Sequence, residues 1–74
     1  MPGQSTKTIE IVLNGEPRAS LDGLSLLDLL HSLGVEPSRV AIELDRRIVK
    51  KADWGATLLQ PGSRVEIVQF VGGG

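Results

Sequence analysis

Apolar residues along this chain recur with two periods, and the changes from one to the other mark its elements. Thr8-Ile-Glu-Ile-Val-Leu13 puts Ile9, Ile11 and Leu13 on one face and Glu10 and Val12 on the other, the alternation of a half-buried strand. Asn14-Gly15 follows, a pair suited to a type I′ hairpin because both of its central residues need positive φ. The returning strand is expected over Glu16 to Ser20, with Pro17 setting it at a sheet edge where a missing N–H costs no ladder bond. Leu21 to Leu24 reads as a loop. Leu26, Leu29, Leu30 and Leu33 then recur at helical spacing, leaving Leu27, Asp28, His31 and Ser32 outside the stripe. Ser25 and Asp28 stand at capping-box spacing, Gly34 suits the C′ position and Pro37 lies just beyond, so the helix is predicted over Leu26 to Leu33. A helix of about two turns does not persist alone. Its leucines must therefore pack on a sheet.

Val40, Ile42 and Leu44 alternate as the buried set of a central strand, and Asp45-Arg46-Arg47 turns the chain into a short strand at Ile48-Val49. Ala52 to Gly55 is compact enough for a single helical turn, with Trp54 expected to cap the lower edge of the core. Leu58-Leu59 is expected to anchor the connection, and Pro61-Gly62 fits a type II turn. The last strand is predicted over Arg64 to Phe70. If Val65 and Ile67 face the core with Leu26 and Leu30, period two turns Val68 and Phe70 outward. Glu10, Val12, Ala41 and Glu43 would share that open face, giving a small patch, apolar at its centre and flanked by acids. The order of elements predicts an α+β fold of the β-grasp (ubiquitin-like) kind: a mixed sheet of four to five strands with one main helix packed on one face. A right-handed crossover through the helix would lay the last strand parallel beside the first.

Length and composition narrow the function. Seventy-four residues make one domain, near the lower limit for a self-supporting core. The expected organisation is a disordered leader at 1–7, the β-grasp domain at 8–70 and a flexible glycine tail at 71–74. Eight Lys+Arg against nine Asp+Glu do not make a nucleic-acid binder, and two aromatics, Trp54 and Phe70, do not make a base-stacking platform. The chain has no cysteine and a single histidine, so no metal site is expected. The start of the chain has no apolar stretch of signal-peptide length and no run approaches a membrane span, so no membrane contact is expected and the location is read as cytoplasmic. His31 has no recognisable catalytic partner and reads as a solvated helix residue. The acid pairs Glu43 with Asp45 and Asp28 with Glu36 are of a kind any such chain contains. Arg46, Arg47, Lys50 and Lys51 form the only basic cluster, read as a solvated turn that keeps an edge soluble, with a docking patch as the alternative.

The ending is different in kind. Phe70-Val71-Gly72-Gly73-Gly74 runs from an apolar strand into three glycines. Glycine costs the most entropy to order, and a tail without side chains can be drawn extended into a narrow slot. From Val71 to Gly74 it would reach about 13 Å at about 3.3 Å per residue, delivering the Gly74 α-carboxylate at its end.

Asn14-Gly15-Glu16, Ser25-Leu-Leu-Asp-Leu-Leu30 with Leu33-Gly34, Val40-Ala41, Ile48-Val49 followed by Trp54, and the block from Pro61-Gly62 to Gly74 together resemble the ThiS family. These are ubiquitin-like sulfur carriers of thiazole formation in thiamine biosynthesis. The resemblance covers Thr8 to Gly74 and is most specific in the carboxyl-terminal block. It implies that this chain is no enzyme but a co-substrate. An E1-like (ThiF-like) adenylating enzyme would activate the Gly74 carboxylate with ATP and magnesium, so that no cofactor is bound by the chain itself. A persulfide supplied by a donor such as a cysteine desulfurase would convert the carboxylate to a thiocarboxylate, and a ThiG-like thiazole synthase would accept the sulfur. Val68, Phe70, Val71, Gly72 and Gly73 would meet the partners, with Gly72 a spacer where two glycines suffice. A Gly-Gly ending is shared with carriers for molybdopterin and tRNA thiolation and with protein modifiers, which stand as alternatives.

Overall fold

The last strand lies at the centre of the molecule. In the computed structural model, which describes residues 7–70, a five-stranded sheet runs in the order β2-β1-β5-β3-β4. Its strands are β1 (Thr8–Leu13), β2 (Glu16–Leu21), β3 (Val40–Leu44), β4 (Arg47–Val49) and β5 (Arg64–Gln69), with one helix, α1 (Leu26–Leu33). β5 pairs parallel with β1 and antiparallel with β3, and the crossover through α1 joins β2 to β3, which run parallel on either side of the β1–β5 pair. Val71 to Gly74 and the expected leader up to Thr6 lie outside the described residues.

Two tight turns hold β5 from either side. Asn14 and Gly15 adopt φ of 49° and 85°, the type I′ geometry that their sequence predicts. Asp45 and Arg46 repeat it at 51° and 71° in the second hairpin, without a glycine. In each turn the first residue bonds β5 twice. Asn14 N–H donates to Val65 O at 2.8 Å while Asn14 Oδ1 accepts from Ile67 N–H at 2.8 Å. On the other side Asp45 N–H donates to Arg64 O at 2.8 Å, and Asp45 Oδ1 accepts from Arg64 N–H at 2.9 Å.

The helix is fixed by its ends and by its leucines. Ser25 Oγ accepts from Asp28 N–H at 3.0 Å, and Asp28 Oδ2 accepts from Ser25 N–H at 3.0 Å, closing the capping box. Gly34, at φ 70°, stops the helix, with its N–H on His31 O. Leu26, Leu29 and Leu30 pack on Ile11, Val40, Ile42 and Val65 to form the core. Leu27, placed outside the stripe by periodicity, is half-buried because the 3₁₀ segment Lys51–Ala56 covers its side of the helix.

Several expectations change in detail. β2 reaches Leu21, which pairs with Thr8, and Arg47 belongs to β4 opposite Leu44. Phe70 follows β5 rather than ending it, although its N–H still donates to Arg39 O at 2.8 Å. Trp54 is part of the core and not a cap at its edge: it is 2% exposed, and its Nε1–H donates to Val49 O at 2.8 Å. Of Leu58-Leu59 only Leu59 is buried, because Leu58 bridges to Ser25 and its side chain points to solvent. A 3₁₀ turn at Pro37–Arg39 adds an element that the sequence pattern did not announce.

Two outcomes follow from these contacts. Asn14→Gly keeps the positive φ but removes the acceptor for Ile67 N–H, so urea unfolding should show a loss of about 1 kcal/mol. Asp28 accepts the Ser25 backbone N–H and interacts with its hydroxyl, which holds its carboxyl below the ordinary 3.8. A carboxyl whose pKa is lower folded than unfolded stabilises the fold above the unfolded value and loses that contribution as pH falls through the folded one. The urea midpoint should therefore drop as pH is lowered below about 3.8, and Asp28→Asn should flatten that part of the curve.

Candidate functional site

The sheet has one covered face and one open face, and β5 divides its residues between them. Val65 is fully buried and Ile67 half-buried beneath α1, while Val68 and Phe70 are 54% and 60% exposed on the other side. The outward placement read from period two is thus observed. Register places Val68 opposite Ala41 and Glu66 opposite Glu43 on β3, and Val12 of β1 opposite Arg64. Glu10 alternates onto the same face as Val12, so the open patch has the composition expected of it, with Glu66 as a further acid. Val71, Gly72, Gly73 and Gly74, the remaining expected site residues, lie outside the described residues.

One member of this face escaped the sequence. Ile48 of β4 stands opposite Glu43 and is 75% exposed, the most exposed large apolar side chain among the described residues. The signal that could have found it is the two-residue turn at Asp45-Arg46, which puts Arg47 opposite Leu44 and so rotates Ile48 outward.

Elsewhere, polar groups hold structure together. Asp28 is engaged in the helix cap and Asp45 in the β5 clasp, so neither completes an acid pair with Glu36 or Glu43. His31 is exposed on the last turn of α1, on the helix side of the sheet. Arg46, Arg47, Lys50 and Lys51 are exposed from the second hairpin to the start of the 3₁₀ segment, and Arg47 and Lys50 line an open cleft together with Asp45, Ile48 and Asp53. Among the described residues there is no group of three or more metal-ligating side chains, and no helix is long and apolar enough to cross a membrane.

The family model described as ThiS family matches residues 11–74. The chain belongs to the ThiS family. Its relatives include the thiazole synthase of Magnetococcus marinus, 41% identical over 66 residues, a match covering 89% of this chain and 20% of that protein. This chain therefore spans about a fifth of the length of that relative. The uncharacterized protein ycf40 of Porphyra purpurea is 37% identical over 68 residues, covering 92% of this chain and 96% of that one. Among solved structures, the thiamine biosynthesis protein ThiS of Geobacter metallireducens superimposes with a TM-score of 0.74 at 31% identity, over 89% of this chain and all of that one. The β-grasp fold is thus established alongside the ThiS family.

Exposure on the open face sets an energetic expectation. Val68→Ser and Phe70→Ser should each change the urea unfolding free energy by less than about 0.5 kcal/mol. Ile42→Ala, on the buried face of the adjoining strand, should cost about 2–5 kcal/mol.

Proposed function

We propose that this chain is a sulfur carrier of thiamine biosynthesis whose reactive group is the Gly74 carboxylate. The observation that carries the proposal is the continuity from β5 through the exposed Val68 and Phe70 into the glycine ending, in a chain of the ThiS family. A carboxylate is a poor acyl donor because it has no good leaving group. Attack of a Gly74 carboxylate oxygen on the α-phosphate of ATP would release pyrophosphate and leave an acyl-adenylate. The terminal sulfur of a persulfide would displace AMP to give an acyl disulfide, and a thiol reductant would cleave that disulfide to the thiocarboxylate. ATP and magnesium belong to an E1-like, ThiF-like enzyme in this scheme, and the persulfide to a donor such as a cysteine desulfurase.

The carrier itself contributes delivery and no catalysis. Val68 and Phe70 would dock, and Val71 to Gly73 would thread a slot too narrow for side chains. Relatives named thiazole synthase support a ThiG-like enzyme as the acceptor, since joining carrier and acceptor in one chain would raise their effective concentration.

Incubation with the adenylating enzyme, ATP, a persulfide donor and a thiol should give a mass gain corresponding to replacement of one oxygen by sulfur. One residue appended after Gly74 should abolish that gain while leaving the unfolding curve unchanged. Isopeptide conjugates to lysines, in place of the sulfur gain, would contradict the carrier reading in favour of a protein modifier. Delivery of the sulfur to molybdopterin precursors or tRNA and not to thiazole synthase would reassign the pathway.

A further inference from the structure

Glu43 and Glu66 face each other directly across β3 and β5 on the open side of the sheet. Like charges opposite one another disfavour an isolated sheet. Neither side chain reaches the core, so the fold would accept a neutral residue at either position. Apolar side chains stand on both sides of the pair. Ile48 lies across from Glu43 on β4, and the next rung toward the tail holds Val68 and Ala41, followed by Phe70. The nearest base on the same face of β5 is Arg64, on the side away from the tail and opposite Val12.

This arrangement of exposed apolar groups around two like charges in register fits a surface shaped for a partner, because a partner can both cover the first and neutralise the second. Resting on the carrier reading above, we propose that the docking face extends across the sheet to Ile48, and that Glu43 and Glu66 receive a basic side chain from the adenylating enzyme. Charge complementarity selects that enzyme. A site that holds the phosphates of ATP and draws in a second anion, the tail carboxylate, needs positive potential around its entrance. The carboxylate pair lies on the rung just before Val68 and so meets the rim of that entrance when the tail is inserted. An arginine suits the position best, since its five N–H donors can engage two carboxylates at once.

The test compares whole chains as substrates of the adenylating enzyme, read as pyrophosphate release against carrier concentration, alongside thermal melts of each chain alone. The double variant Glu43→Gln, Glu66→Gln should melt higher than wild type. Its KM should rise about three- to tenfold at low salt with kcat unchanged, and the difference should shrink at high salt. Ile48→Ser should raise KM about fivefold at every salt concentration with little change in melting. A higher melt with unchanged KM would overturn the proposal, leaving the pair a solvated repulsion without a partner. A KM increase confined to thiazole synthase would overturn it equally. If the wild-type chain is not adenylated at all, the carrier reading fails, and calorimetric binding of the same variants to the adenylating enzyme decides the docking face separately.

Discussion

The structure depends on the clasp that two hairpin turns place on β5. Asn14 and Asp45 occupy equivalent positions in the two turns, and each holds the central strand through its own N–H and its side-chain oxygen. That grip sets the register of β5 against both neighbours. Register in turn decides which residues are buried, because a slip of one position would send Val65 to solvent and Val68 into the core. Core and open face are therefore two consequences of one alignment. The strand bonded by both turns is also the one that leads in sequence to Gly74, the group proposed to react.

Polar side chains in this fold serve its backbone. Ser25 and Asp28 cap α1, Thr57 Oγ1 donates to Asp53 O, Ser63 Oγ accepts from Gln60 N–H, and the Trp54 indole donates to Val49 O. Each of these groups is already engaged within the fold. With few residues available, satisfying turns and caps takes precedence, and a core of leucine, isoleucine and valine with Trp54 fills the space beside α1 and the sheet. The proposed chemistry falls on the end of the chain, where an activating partner would need only a carboxylate on a residue without a side chain.

Much of this was legible in the sequence, and the exceptions share a cause. Asn14-Gly15 announced its turn because glycine marks positive φ, whereas Asp45-Arg46 makes the same turn with residues that carry no such mark. Ile48 consequently had no assigned face. The leucine stripe and the capping box gave the bounds of α1 because both rest on contacts within a few residues of one another. Leu27, Trp54 and Leu58 depended on how the Lys51–Ala56 segment folds back over the helix, which local periodicity does not encode. The open face was half visible: alternation turned Val68 and Phe70 outward, but the confrontation of Glu43 with Glu66 exists only through the pairing of β3 with β5.

In the proposed carrier reaction the Gly74 carboxylate, presented by an intact fold, is the group on which the adenylating enzyme acts. The most direct measurement is carrier-dependent exchange of labelled pyrophosphate into ATP, comparing the native chain with one whose terminal carboxylate is amidated. The amidated chain should support no exchange yet inhibit the native chain competitively, with an inhibition constant close to the native KM. Exchange persisting with the amidated chain would place the acceptor elsewhere and contradict the account.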